Sequence, residues 1–303
     1  MPELPEVQTV VSDLNKKVKG RRIMGAWFDW PKIIKDPLDQ SKTKVAHKHV
    51  AVFAKSVKGE KIVRVARRGK NILIYLTGGK LLLIHQKMTG HMLVGKWRVE
   101  GKKVIPIEPQ PVVDDPYNRF IHLILYLDNK KMLALSDLRK FAKAILGPAE
   151  QIENLPELAN LGPDALDPKL TYPKFAEIIK REKRKIKQVL MDQEVIAGIG
   201  NIYSDDILWT ARVHPFRPAN KLRDVERKAI YQAMKKVLKV AVRLRGTSTS
   251  DFRDTEGKMG YYTDYRKVYQ REGEPCPRHD GGKIKRKKLG GRSAHFCPVC
   301  QKI

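Results

Sequence analysis

The chain has 303 residues, 42% of them hydrophobic and 31% charged, enough to bury a core and long enough for more than one domain. Lys and Arg number 61 against 33 Asp and Glu, a net charge of +28 whose field would steer polyanions, with nucleic acid the simplest partner, although membrane-surface proteins share such charge. No run reaches the ~18 apolar residues of a spanning helix, and Met1-Pro2-Glu3 is not the basic start of a signal peptide, so a cytoplasmic, nucleoid-associated protein without a membrane partner is expected.

Behind Met1-Pro2-Glu3-Leu4-Pro5-Glu6, apolar Val7, Val10, Val11, Leu14 and Val18 recur at helical spacing and Gly20 ends the run, which mounts the terminus on a helix. From about residue 22 to 146 the pattern turns to strands, at 23–28, 50–53, 61–65, 72–76, 81–84, 120–127 and 131–135, with hairpin chemistry at Thr77-Gly78-Gly79-Lys80 and Asp128-Asn129-Lys130. Short strands at this spacing predict a sandwich or barrel. Residues 31–48 and 95–118, the latter with Pro106, Pro109, Pro111 and Pro116, read as loops.

A proline-punctuated linker at 155–168 leads into amphipathic helical stretches at 175–181, 186–192, 202–211 and 225–243. Residues 246–262 lack periodicity, are rich in Gly, Ser, Thr and Asp, and are expected to form a mobile loop. All three cysteines lie beyond residue 265. The division this predicts is 1–154 (helix plus strands), 155–168 (linker), 169–264 (helical) and 265–303 (cysteine tail), an α+β multidomain chain.

Four groups of residues carry chemistry. If Met1 is removed, which the small Pro2 side chain permits, the chain begins with a secondary amine followed directly by the Glu3 carboxylate. An α-amino group titrates near ~7.7–8.0, so much of it is free nucleophile at neutral pH, and its attack on a sugar aldehyde carbon gives an iminium that drains electrons from neighbouring carbons. A chain end without function is the alternative on these residues alone. In the tail, Cys276-Pro277-Arg278-His279 and Cys297-Pro298-Val299-Cys300 are separated by seventeen residues, the spacing of a tetrahedral zinc site with three thiolates and the His279 imidazole. The basic stretch between them reads as a hairpin with its turn within Lys287-Lys288-Leu289-Gly290-Gly291-Arg292.

Third, Asp192-Gln193-Glu194-Val195-Ile196-Ala197-Gly198-Ile199-Gly200-Asn201-Ile202-Tyr203 lies between two helical stretches. Its glycines allow close backbone approach and the helix starting near Asn201 offers free N–H groups to an anion such as phosphate, unless it is a plain helix–helix turn. A dinucleotide-binding reading fails because the third glycine is absent and no strand precedes it. Fourth, Arg67-Arg68-Gly69-Lys70, His85-Gln86-Lys87-Met88-Thr89-Gly90 and Asp137-Leu138-Arg139-Lys140-Phe141 set basic residues at strand ends. Met88 and Phe141 suit either an ordinary core or a wedge in a base stack.

PELPEV, RRGK, HxxMTG, DLRKF, DQEVIAGIGNIY and the terminal knuckles, in this order and across nearly the whole chain, resemble the formamidopyrimidine-DNA glycosylase (Fpg/Nei) family. The resemblance implies an N-terminal β-sandwich with a flanking helix, a helix-two-turn-helix domain and a C-terminal zinc-finger β-hairpin. It also implies a monomer that flips a damaged nucleotide out of duplex DNA, with one structural zinc ion. Carried over by position, Pro2 is the nucleophile at the sugar C1′, Glu3 the proton donor to the sugar oxygen, and Glu6 a residue shaping the substrate pocket. Lys70 contacts phosphate and assists elimination. Met88, Arg139 and Phe141 fill the void left by the flipped base, Lys187 with Asn201 holds phosphates, and Arg292 is the finger arginine.

The chain departs from the family pattern at His279, which replaces a cysteine, at Lys140 and Gln270, and in longer segments before Lys70 and after Met88. The resemblance favours excision of oxidised purines with β- and δ-elimination, because residues 245–262 resemble a purine-capping loop. An endonuclease VIII-like enzyme for oxidised pyrimidines, or a non-catalytic zinc-dependent damaged-DNA-binding protein, are the alternatives.

Overall fold

In the computed structural model the first helix, α1 (Leu4–Lys17), starts with a reciprocal cap between Glu3 and Glu6 and has Pro5 in its first turn, where a missing N–H costs nothing. Lys16 and Lys17 sit at its C-terminal end, favourably placed for the helix dipole. The structure describes residues 1–37, 47–249 and 251–303. They fall into two units, Met1–Ala159 with Arg245–Tyr261, and Asn160–Leu244 with Tyr262–Ile303.

In the first unit α1 is followed by β1 (Ile23–Phe28), β2 (Ile34–Lys35), α2 (His47–Val57), β3 (Ile62–Arg68), β4 (Asn71–Leu76), β5 (Lys80–His85), β6 (His91–Glu100) and β7 (Lys103–Glu108). Then come α3 (Gln110–Asp114), β8 (Ile121–Leu127), β9 (Met132–Ser136), β10 (Lys143–Pro148), α4 (Ala149–Glu153) and α5 (Pro156–Ala159). Two five-stranded sheets result, β1-β8-β9-β6-β7 and β2-β10-β5-β4-β3.

Period-two alternation sorts their side chains. Leu123 and Leu125 of β8, Leu133 and Leu135 of β9 and Met92 of β6 share one core with Ile72 and Ile74 of β4 and Leu82 and Ile84 of β5. Val7, Val10, Val11 and Leu14 of α1 join that core, so the helix carrying the terminus is fixed by the same burial that holds the sheets together. Each such side chain contributes about 1.5–3 kcal/mol. The alternate residues Leu93, Ile124 and Ala134 face a second cluster with Trp97 and Val112.

Residues 50–53, read as a strand, belong instead to α2. Phe53 and Val57 are buried while Val52 is 55% exposed, a helical pattern that a four-residue apolar run cannot display. The supposed loop 95–118 holds the end of β6, all of β7 and α3, with β7 pairing along the sheet edge. An edge strand tolerates Pro106, which is why the prolines misled. In the stretch 31–48, residues 31–35 form a short 3-10 turn and β2, and residues 38–46 lie outside the described residues. The aperiodic segment after residue 245 is not a free loop: Phe252 enters the first core, and Thr247 bridges to Tyr261.

The second unit holds α6 (Tyr172–Arg181), α7 (Ile186–Met191), α8 (Asn201–Thr210) and α9 (Asp224–Arg243), then the hairpin β11 (Lys285–Leu289) and β12 (Arg292–Phe296). No helix among the described residues is long and apolar enough to cross a membrane. The expected linker is tied down at its end, since Gly162 N–H donates to Gln193 and Ala165 N–H to Ala197.

α8 is the post of this unit, buried from Ile202 to Trp209 with Ser204, Asp205 and Asp206 among the buried residues. Asp206 accepts the N–H groups of Lys267 at 3.0 Å and Val268 at 3.1 Å and the Tyr262 hydroxyl at 2.9 Å, which fastens the approach to the cysteine tail. Asp206→Ala strands all of these donors in a dry interior and is expected to cost about 3 kcal/mol, read as a lowered midpoint in urea unfolding.

Candidate functional site

In the first unit, Pro2 is buried directly ahead of the cap of α1, and Glu3 and Glu6 are 3% and 2% exposed. Glu6 Oε2 accepts the Glu3 N–H at 2.8 Å, and its Oε1 accepts the Thr247 N–H at 2.6 Å. Burial holds the Met1 amine below its ordinary pKa; the charges of Glu3, Glu6 and Asp251 oppose this and that of Lys70 adds to it.

Lys70 is buried in the two-residue turn between β3 and β4, where Gly69 at φ 56° supplies the left-handed residue the turn requires. The fold therefore brings Glu3, Glu6 and Lys70 within electrostatic reach of the chain's first residue.

Met88 and the Arg139–Phe141 turn are tied together by Asp137, a fully buried carboxylate. Its Oδ1 takes the Thr89 hydroxyl and its Oδ2 the Ala142 N–H at 2.6 Å, while Thr89 Oγ1 accepts the Arg139 N–H at 3.0 Å. Phe141 is 53% exposed, with the Arg139 guanidinium 4.7 Å from its ring centre. An exposed apolar ring held by a rigid turn is available to enter a base stack. Met1, Met88 and Phe141 line a pocket of about 470 Å³ together with Trp30, Lys32 and Lys140.

In the second unit, Gln193 shapes the turn between α7 and α8, donating to the carbonyls of Met191 and Ile199 and accepting the Gly198 N–H at 2.9 Å. Gly198, at φ 108°, makes the bend. Asn201 opens α8 and lines a polar pocket with Tyr269, Arg286 and Ser293; its Oδ1 is buried without a hydrogen-bond partner.

Lys187 does not face outward as a phosphate ligand would. It is 1% exposed, ion-paired with Asp205, and 3.4 Å from the Asn201 carbonyl. It supports the start of α8 from behind.

Arg292 is exposed beside the Gly290-Gly291 turn, and both glycines have positive φ, which gives the tight hairpin its twist. Asp205 also accepts the His295 N–H at 3.0 Å and contacts the imidazole Nδ1 at 2.9 Å, so one buried carboxylate joins Lys187 to the hairpin.

At the metal knuckle the donor atoms gather without the expected His279. Donor atoms of Cys276, Asp280, Cys297 and Cys300 lie within 4.8 Å of one another, and His279 is not among them. His279 takes a left-handed conformation at φ 55°, its N–H closing the turn onto the Cys276 carbonyl at 2.9 Å, and the following residue turns its carboxylate inward. Asp280 lies 3.5 Å from the Cys297 sulfur and is oriented by the Gly282 N–H at 2.9 Å. Three thiolates and a carboxylate at this separation fit a tetrahedral zinc ion. Arg278 reaches the Cys300 sulfur at 3.2 Å and stacks on Trp209 at 3.8 Å, offsetting the site's negative charge.

Sequence reasoning overlooked Asp137, Asp205, Asp280, Asp13, Arg245 and Asp251. Only Asp280, one position past the expected ligand, carried a local signal.

Three family models match the chain: the formamidopyrimidine-DNA glycosylase N-terminal domain at residues 1–144, the formamidopyrimidine-DNA glycosylase H2TH domain at 161–253, and the zinc finger found in FPG and IleRS at 273–303. A formamidopyrimidine-DNA glycosylase of Pelotomaculum thermopropionicum is 37% identical over 303 residues, covering 100% of both chains. One of Herpetosiphon aurantiacus is 36% identical over 302 residues, covering 99% of this chain and 100% of its own. Among solved structures, Lactococcus lactis Fpg bound to an abasic site containing DNA is 27% identical with a TM-score of 0.81, over 99% of this chain and 100% of that one. The wild-type L. lactis protein with N7-benzyl-Fapy-dG containing DNA is 28% identical with a TM-score of 0.82 and full coverage of both.

The fourth metal ligand can be tested directly. Asp280→Ala is expected to weaken zinc retention by roughly 10-fold or more against a chromophoric chelator, and His279→Ala to leave it close to wild type.

Proposed function

The chain belongs to the formamidopyrimidine-DNA glycosylase family, and on that premise we propose that it excises oxidised purines such as 8-oxoguanine and formamidopyrimidines from duplex DNA, then cleaves the strand through an iminium on Pro2. The observation that carries this reading is the placement of buried Pro2 and Glu3 at the capped start of α1, where the Glu6 carboxylate holds the Glu3 N–H.

With Met1 removed, the Pro2 nitrogen attacks C1′ of the flipped nucleotide, the N-glycosidic bond breaks, and the base leaves with a proton. Glu3 protonates the ring oxygen O4′ as the sugar opens, leaving an iminium between Pro2 and C1′. That iminium acidifies C2′: loss of a C2′ proton expels the 3′ phosphate (β-elimination), and a second elimination expels the 5′ phosphate (δ-elimination). Water then releases the unsaturated sugar remnant and regenerates the amine. Lys70 holds a phosphate near the lesion during these departures. Glu6 holds Glu3 in place, and Met88, Arg139 and Phe141 fill the gap in the duplex.

In the second unit Asn201, supported by Lys187, and Arg292 grip the phosphate backbone as exposed cations or donors. One zinc ion, held by Cys276, Asp280, Cys297 and Cys300, keeps the basic hairpin rigid; with four protein ligands it leaves no open position for catalysis, so its role is structural. The protein works as a monomer with the nucleoid in the cytoplasm, where its substrate is.

Glu3→Gln is expected to slow strand cleavage on an 8-oxoguanine duplex by roughly 10²–10⁴-fold while DNA affinity stays near wild type, measured by gel cleavage and fluorescence anisotropy. On a substrate panel, 8-oxoguanine should be released faster than thymine glycol; the reverse order contradicts the purine assignment. Zinc chelation should weaken DNA binding first and reduce turnover only through it.

A further inference from the structure

Glu6, Asp13 and Lys17 lie seven and four residues apart on α1 and therefore share one stripe of the helix, about 16 Å long. The other side of α1 is committed to the sandwich core through Val7, Val10, Val11 and Leu14. Each residue of the polar stripe holds a different point of the segment Arg245–Tyr261, which belongs to the same unit although 232 positions separate Asp13 from Arg245.

At the first turn Glu6 takes the Thr247 N–H, packed so closely that a Cβ on Gly246 would lie 2.7 Å from the Glu6 carboxylate. In the middle, the Arg245 guanidinium bridges two buried carboxylates: Nη2 is 2.5 Å from Asp13 Oδ2 and 2.8 Å from Asp254 Oδ2, and Nε donates to Asp254 at 2.9 Å. Asp254 spends its other oxygen on the N–H groups of Glu256 and Lys258, and the Thr255 hydroxyl donates to Asp13 at 2.9 Å. At the last turn Lys17 pairs with Glu256 at 3.0 Å and reaches Thr255 at 2.9 Å.

Arg245 adopts this arrangement in a left-handed conformation, φ 61°, which a non-glycine residue takes only at an energetic cost. A glycine would be relaxed there but could not make the bridge.

We propose that Arg245 is a positioning residue for the terminal amine: its bridge to Asp13 and Asp254 clamps the segment along α1 so that Thr247 holds the Glu6 carboxylate, whose second oxygen holds the amide of Glu3. The path runs from Arg245 through the Gly246-Thr247 backbone to Glu6 and on to Glu3, the residue that follows Pro2. Loosening the clamp frees Glu6 to rotate, and the amine and the Glu3 carboxyl lose their fixed relation to an approaching sugar. A lysine at position 245 carries the charge but lacks the planar fork needed to serve two carboxylates at once.

This inference rests on Pro2 acting as the nucleophile. The test uses the full chain with a verified Pro2 terminus and Arg245→Gly, which removes the bridge while suiting the backbone and so separates function from folding. Three quantities are measured: the unfolding temperature, the Kd for a duplex containing an abasic site, and the single-turnover rate of borohydride-trapped adduct formation. The expected result is an adduct rate lowered about tenfold, a Kd within about twofold of wild type, and an unfolding temperature no lower than that of Arg245→Ala. Arg245→Lys recovers part of the rate, Asp13→Asn lowers it to a similar extent, and the double variant Arg245→Gly with Asp13→Asn is no slower than the slower single one.

An Arg245→Gly rate equal to wild type, a loss of rate matched by an equal loss of affinity, or additive effects in the double variant would overturn the clamp and leave the nucleophile assignment standing. Absence of any adduct from the wild-type chain overturns both.

Discussion

A single buried carboxylate organises the N-terminal end of this chain. Glu6 closes the cap of α1 by holding the Glu3 N–H, and its other oxygen receives the Thr247 N–H from a segment far along the chain. A buried carboxylate needs such donors, because unpaired charge in an apolar interior is costly. That requirement couples two distant pieces of backbone around the terminus. The hydrophobic side of α1 is simultaneously locked into the sandwich core, so the terminus inherits the rigidity of a domain. Chain ends are ordinarily mobile; here burial, a capped helix and a bridging carboxylate remove that freedom from Pro2 onward.

The second unit applies the same device. Asp205 and Asp206 are adjacent on α8 and both fully enclosed, yet their partners differ. Asp205 faces Lys187 and the hairpin through His295, and Asp206 takes the backbone of Lys267 and Val268. Together they fasten the metal knuckle and its basic hairpin to the helix whose first residue is Asn201. A strongly cationic strand pair would otherwise repel itself. Pinning it by metal ligation at one end and by buried acid at its side leaves its lysines and arginines exposed for a polyanion.

How far the sequence revealed this depends on whether a feature is local. Valines at helical spacing announced α1, short apolar runs bounded by turn residues announced β4, β5 and β8, and paired glycines placed the hairpin turn beside Arg292, because each signal lies within a few residues. Residues 50–53 misled, since four consecutive apolar residues fit either period until their neighbours' burial is known. Prolines hid β7, an edge strand that tolerates them. His279 was a reasonable fourth ligand by counting, but the left-handed backbone at that position directs the next side chain, Asp280, toward the sulfurs. Lys187 was legible as a basic residue near the turn, but nothing local marks it as a buried partner of Asp205. The Asp13–Arg245 bridge and the Asp137 tie were beyond reach for the same reason: a long-range ion pair leaves no periodic trace in a single sequence.

Locating the covalent bond gives the most direct test of the account. The mature chain is incubated with duplex DNA containing an abasic site in the presence of borohydride, and the trapped species is digested and mapped by mass spectrometry. The account predicts a reduced adduct on the peptide that begins at Pro2. An adduct mapped to a lysine such as Lys70, or none from a chain whose Pro2 terminus has been verified, would contradict it.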